Sequence, residues 1–254
     1  MQRVLDPLGL PQRASRKLRG GGGDWAGAPK RWGPNTGHPN EVARNRIVYR
    51  QMYAALAYAA ERYARGRLLD IGCGTKPFRE LFAPYVSEHV GVDHEQTMHG
   101  LESVDVISDA YDIPLEDESA GTVLLTEVLE HLERPGEALA ECRRLLRAGG
   151  HLILTTPLSW PLHEEPRDFF RYTPYGLRYL AEEAGLEVVE LQALSGIWST
   201  IALHTSYGLQ RYRRRAGPLI DGLCVLLQRL AWHWERFDRQ ERLSWNHLLV
   251  ARRP

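Results

Sequence analysis

Residues 68–78 read LLDIGCGTKPF, an apolar run that stops on Asp70 and is followed at once by Gly72 and Gly74. Glycines placed there let the backbone turn tightly and approach a bound group closely. A P-loop ends in Gly-Lys-Ser/Thr. Here Lys76 is followed by Pro77, and no hydroxyl residue comes next to serve Mg²⁺. A dinucleotide fingerprint needs a third glycine three residues after Gly74, and that position is Pro77. Both pyrophosphate readings therefore lose their key residue, and the loop must be read from its surroundings.

Those surroundings alternate. Apolar runs at 67–73, 88–93, 104–109, 120–127, 151–157 and 186–194 predict strands. Segments 76–86, 136–149 (stopped by Gly149–Gly150) and 174–185 predict helices between them. Such alternation implies a parallel sheet covered on both faces, with ligands beyond the carboxyl ends of the strands. An Ala- and Arg-rich helix is expected from Glu41 to Arg65, ended by Gly66, and a final strand over 246–253. Residues 1–40 read as a disordered, basic, Gly-rich arm, and 41–254 as one domain with a helical insertion near 196–245. In that insertion Leu219, Ile220, Leu223, Leu226, Leu227, Leu230, Trp234 and Phe237 form one helical stripe, expected to pack into the core. A membrane surface or a substrate lid are its other readings.

The chain of 254 residues is 43% hydrophobic, and its Lys plus Arg balance its Asp plus Glu. Neutrality argues against DNA and RNA as partners. Cys73, Cys142 and Cys224 have neither a disulfide framework nor metal spacing, which points to a reducing cytoplasm. No signal peptide and no run of ~20 apolar residues is present, so no transmembrane segment is expected and only peripheral membrane contact stays open.

The strand ends carry acids. Asp93 closes the second strand, 21 residues after Gly72, where a carboxylate accepts both hydroxyls of a ribose. Asp109 closes the third, placed to accept an adenine amino group while the N–H of Ala110 donates to the ring. The set describes an adenosine-containing ligand with no required pyrophosphate. In this order LLDIGCG, VGVD, SDAYDIPL, VLLTEVLEHL and RLLRAGGHLILTTP resemble the class I S-adenosylmethionine (SAM)-dependent methyltransferases, and among them the type 11 group, over about residues 66–195. The resemblance implies an α/β, Rossmann-like three-layer sandwich, its seven-stranded sheet mostly parallel with an antiparallel last strand. It implies SAM as cofactor. Asp70, Gly72, Cys73 and Gly74 would lie around the methionine part, Asp93 at the ribose, and His94 stacked on the adenine held by Asp109 and Ala110. Glu127 would lie near the amino-acid and sulfonium region. The third glycine common in that family is replaced here by the Thr75–Lys76 region.

A sulfonium methyl already has a good leaving group, so holding an acceptor in line supplies much of the rate. A base is needed only where the acceptor must lose a proton. Glu127, Glu130 and His131 would share one face of a helix starting after the fourth strand. His131 is the candidate base. The Glu-x-x-Glu-His spacing also resembles that of small-RNA 2′-O-methyltransferases, which bind a divalent metal with a further His, here His163. Ordinary helix-start chemistry is the third reading, and no metal is assigned. The loop LSWPLHEEPRDFFRYTPYGL (158–177) mixes His163, Glu164, Arg167, Asp168 and Arg171 with aromatics, a composition suited to binding an acceptor. The expected activity is methyl transfer to a small molecule or a glycan or lipid intermediate. The alternatives are a metal-assisted RNA 2′-O-methyltransferase and a non-catalytic SAM-binding scaffold.

Overall fold

The computed structural model describes residues 43–238 and 240–254, so the arm expected over 1–40 lies outside the described residues. Helix α1 (Arg46–Tyr63) turns Ile47, Met52, Ala55, Leu56 and Ala59 inward. The strands follow as β1 (Arg67–Ile71), β2 (Glu88–Asp93), β3 (Val106–Ile107), β4 (Ala120–Thr126), β5 (Leu146–Pro157), β6 (Glu187–Ala193) and β7 (Asn246–Arg252). Helices α2 (Arg79–Phe82), α3 (Pro135–Leu145), α4 (Pro174–Glu183), α5 (Ile197–Leu209) and α6 (Arg213–Glu235) connect them.

The sheet order is β3-β2-β1-β4-β5-β7-β6. Neighbours run parallel except β7, which lies antiparallel between β5 and β6. The seven-stranded, mostly parallel sheet is thus the expected one. Order reverses between β1 and β4, which opens the ligand crevice beside the Gly72–Gly74 loop.

The three layers follow from the period-2 alternation of strand side chains. Leu69, Val123, Leu125 and Leu154 join Leu139 and Leu145 of α3 and Leu177 of α4 in one core. Leu68, Leu124, Ile153 and Val250 point the other way, to Leu56 of α1, Phe82 of α2, Leu203 of α5 and Trp245.

Several boundaries move for identifiable reasons. The helix expected over 76–86 shrinks to four residues behind Pro77. The third strand keeps only Val106–Ile107. The helix expected to reach Gly149 ends at Leu145, because Gly149 donates to the Arg253 carbonyl (2.9 Å) and Arg253 donates back to Gly150 (3.0 Å). That exchange draws 146–150 into β5.

The insertion is helical as expected, but of its stripe Ile220 is buried and most of the rest is not core. Leu219, Leu223, Leu226, Leu230, Trp234 and Phe237 face solvent. The buried face of α6 is Ile220, Cys224, Gln228, Ala231 and Glu235. Polar partners make that possible. The Gln228 side chain accepts from Ile47 N (2.9 Å) and donates to the carbonyls of Ala43 and Arg44. Glu235 accepts from the backbones of Gly196 and Ser199 (both 2.8 Å) and from the Ser199 hydroxyl (2.7 Å). The helix path breaks at Ala216 (φ −148°, ψ 48°), and Pro218 then sits where a first helical turn tolerates it.

Candidate functional site

Two acids and two glycines bind the ends of β1 and β2 together. Gly72 (φ +69°) and Gly74 (φ +47°) take left-handed backbone. A Cβ on Gly72 would fall 2.4 Å from a Val128 methyl, so the loop lies directly against the segment after β4. The Asp93 carboxylate accepts from Gly74 N (2.9 Å) and His94 N (2.8 Å). Asp70 and Cys73 lie deeper. Asp70 is buried against His89 Nε2 (2.9 Å); burial raises its carboxyl pKa, against the pull of that imidazole. Burial pushes the Cys73 thiol up to about 12. In the region where the third glycine was expected, Lys76 (φ +51°) buries its side chain over Gly91 and bonds the Asp105 carboxylate. Asp109 caps its own turn, accepting from Tyr111 N (2.8 Å) and Asp112 N (3.2 Å), next to buried Ala110.

The second cluster follows β4. The α-helix expected there is a single 3₁₀ turn, Leu129–His131, because Glu127 (φ +54°) and Val128 (φ −128°, ψ −38°) leave the helical path. The three acid and imidazole side chains therefore do not share one helix face. Left-handed backbone at a non-glycine residue is the strain that functional sites tend to hold. Both Glu127 oxygens accept from Asn246 Nδ2 at 2.8 Å. Glu130 is fully buried; its Oε2 accepts from the Thr156 hydroxyl (3.1 Å) and its Oε1 has no hydrogen-bond partner. Burial raises its carboxyl pKa well above the usual range, and the nearby Glu127 charge adds to that.

His131 joins this cluster to the loop 158–177. Its Nδ1 meets the Arg167 carbonyl (2.5 Å), which can only accept, so Nδ1 carries the proton and the neutral ring leaves Nε2 bare. Nε2 lies 3.9 Å from Glu130 Oε1 and 3.8 Å from Glu164 Oε2. The His163 ring stands edge-on to it, centroids 4.7 Å apart. His163 has its Nδ1 3.3 Å from Asp168, which Arg171 grips with both terminal nitrogens. Burial, with His131 beside it, lowers the His163 pKa. Among the described residues, Glu130, His131 and His163 each offer a ligand atom, and these lie within 4.8 Å of one another.

Residue spacing missed three members of this site. Asn246 reaches Glu127 from β7, and Thr156 reaches Glu130 from β5. His99 packs on Gly74 and faces Glu164 at 3.9 Å, joining the glycine loop to the loop 158–177.

The burial of Glu130 has a measurable sign. Its native pKa is raised, so the native state holds this proton more tightly than the unfolded chain does. The resulting stability is complete below the ordinary glutamate value near ~4.5 and is lost as pH rises through the native one. Glu130→Gln cannot ionise. Its stability relative to the parent should improve as pH rises from 5 to 8 in urea titrations. A difference that stays flat with pH would show that Glu130 ionises normally.

Residues 69–154, from β1 into β5, match the model of a methyltransferase domain. A Mycolicibacterium smegmatis protein described as "Probable S-adenosylmethionine-dependent methyltransferase" is 29% identical over 185 residues, 70% of this chain and 67% of that protein. The ubiquinone biosynthesis O-methyltransferase of Cereibacter sphaeroides is 28% identical over 199 residues, 74% of each chain. The chain spans about half the length of other curated relatives it matches (51% and 52%). The structure of Haemonchus contortus phosphoethanolamine N-methyltransferase 2 in complex with S-adenosyl-L-methionine superposes with a TM-score of 0.53 at 17% identity, over 84% of this chain and 56% of that one; this likeness is one of fold. The domain match and these relatives agree with the sheet order and with the motif series read from the sequence: residues 69–154 match a methyltransferase domain, and the chain is similar to S-adenosylmethionine-dependent methyltransferases.

Proposed function

We propose that this chain transfers a methyl group from SAM to a hydroxyl of a small molecule or of a glycan or lipid intermediate, with His131 as the base. The observation that carries the reading is the contact of His131 Nδ1 with the Arg167 carbonyl. A ring whose Nδ1–H is held by a carbonyl offers Nε2 to an acceptor proton, and this Nε2 opens toward the loop 158–177. The O-methyltransferase from C. sphaeroides supports an oxygen acceptor.

The cofactor-side residues fit SAM. Each Asp93 oxygen accepts one backbone bond, which leaves lone pairs for a ribose diol. The left-handed glycines leave the loop without side chains where an amino-acid moiety would approach. Asp109 and Ala110 lie beyond β3 for an adenine, with His94 following Asp93 to cover its face. Glu127 suits the cationic end. When bound, SAM supplies an activated methyl on a sulfonium leaving group. The protein's own part is then to exclude water, align the hydroxyl and accept its proton at His131 Nε2, while Glu164 and the Asp168–His163 pair orient the ring's surroundings.

Calorimetric and thermal-shift titrations with SAM, S-adenosylhomocysteine and NAD test the cofactor half. Either SAM ligand should raise the melting temperature by mass action and NAD should not. Binding of NAD alone would overturn the reading. Turnover with methyl-labelled SAM on fractionated metabolite and lipid extracts tests the other half. His131→Ala should lower it by about 10²- to 10⁴-fold, the range of a lost general base. A second reading, a divalent metal assisting transfer, is supported by the spacing of Glu130, His131 and His163. It predicts turnover that chelation removes and Mn²⁺ restores.

A further inference from the structure

Helix α6 presents an apolar face that nothing among the described residues covers. Leu219 is 72% exposed and Phe237 74%, with Leu223, Leu226, Leu230 and Trp234 on the line between them. Patches of this kind mark interaction surfaces. The charge around this one has a single sign. From 211 to 237 every exposed charged side chain is an arginine: Arg211, Arg214, Arg215, Arg229 and Arg236. The two acids of the segment are withdrawn, since Asp221 is paired with Arg213 and Glu235 is buried under the helix. This happens in a chain whose formal net charge is zero. Arg211, Arg214 and Arg215 also line an open recess with Tyr212 at the start of the helix.

A second copy of the chain is a poor occupant, because face-to-face packing would set arginines against arginines. An acidic surface with an apolar interior matches both features. No helix among the described residues is long and apolar enough to cross a membrane, so the match is to a helix lying in the interface plane. We propose that the exposed face of α6 docks this protein on an anionic lipid bilayer, with the leucines, Trp234 and Phe237 at the acyl boundary and the arginines on the headgroup phosphates. The neighbouring helix α5 touches the acceptor loop, through His204 on Ser159 (2.9 Å) and Tyr207 on Trp160 (5.5 Å). Docking would therefore set the loop 158–177 close to the membrane. The proposal concerns binding alone and stands apart from methyl transfer.

Co-sedimentation of the full chain with vesicles tests it, using phosphatidylcholine alone and phosphatidylcholine mixed with phosphatidylglycerol. Binding is expected only to the anionic vesicles and should weaken with added salt. Arg214→Ala/Arg215→Ala should weaken it by on the order of tenfold or more, at about fivefold per arginine. Leu226→Asp/Leu230→Asp should abolish it in a chain that still unfolds cooperatively, since both side chains are about half exposed (51% and 49%). Three results would overturn the proposal. These are no binding to anionic vesicles, undiminished binding of the Leu226→Asp/Leu230→Asp variant, or a dimer that this variant dissolves in a chain that ignores vesicles.

Discussion

Asp93→Ala should weaken S-adenosylhomocysteine binding by on the order of 100-fold in calorimetric titration. A carboxylate bonding a ribose diol contributes charge-assisted hydrogen bonds of ~1.5–3 kcal/mol each, and the alanine variant loses them together. A second loss arises in the protein itself. The same carboxylate ties Gly74 N and His94 N, so its removal frees the loop after β1 from the end of β2. The melting temperature should therefore fall by a few degrees even without ligand. Asp93→Asn separates the two effects poorly, because an amide offers one acceptor oxygen where two N–H groups now converge. Asp109→Ala is the useful contrast. That carboxylate is exposed and holds only its own turn, so its loss should weaken binding with little change in melting temperature. Parental affinity in Asp93→Ala would remove the ribose from this corner of the crevice.

Trp245→Ala should be the most destabilising single change. The indole is fully buried among Leu56, Leu124, Ile153 and Leu203, and its Nε1 donates to Gln51 Oε1 at 2.7 Å. Truncating a buried Trp costs about 3–5 kcal/mol, which for a domain of this size lowers the melting temperature by on the order of 10 °C. The same ring supports the loop 158–177, with Trp160 5.5 Å away. The loop should become more open to proteolysis around 160–168 than the rest of the domain. Trp245→Phe keeps most of the apolar volume and loses the bond to Gln51, so it should recover most of the stability. Calorimetry on both variants checks the order, and equal losses would place the cost in the hydrogen bond rather than in packing.

The sheet was legible because each strand is an apolar run closed by a turn residue or an acid, as in LLDIGCG and EHVGVD. Asp93 could be located for the same reason, since a strand end is a fixed place in this architecture. What stayed hidden depends on partners far along the chain. Nothing near Glu127 announces Asn246, which is delivered by the last strand. Lys76 looked like a departure from a glycine pattern, and its meaning lies in Gly91 and Asp105. Helix α6 shows the limit most clearly. Its leucine periodicity favours burial, yet the body of the protein is faced by Gln228 and Glu235, whose donors and acceptors lie in α1 and α5. A buried polar face of that kind is invisible to any count of apolar residues. The turn at Glu127–Val128 was misread as helix because no local residue forces it; the bond from Glu127 N to the Thr155 carbonyl (3.0 Å) does.

The place of β7 between β5 and β6 also constrains the order in which the molecule can be completed. Strand β6 leaves the ribosome roughly fifty residues before β7 does, and among the described residues β7 is its one neighbour in the sheet. At ~5–20 residues per second, the edge of β5 and the whole of β6 stay unpaired for several seconds of synthesis. During that interval the five strands up to β5 can already close around α3, while Glu187–Ala193 has α4 beside it but no sheet to join. The nascent chain thus passes through a stage with two open strand edges. The two helices made in between, α5 and α6, delay the closing strand on every copy produced.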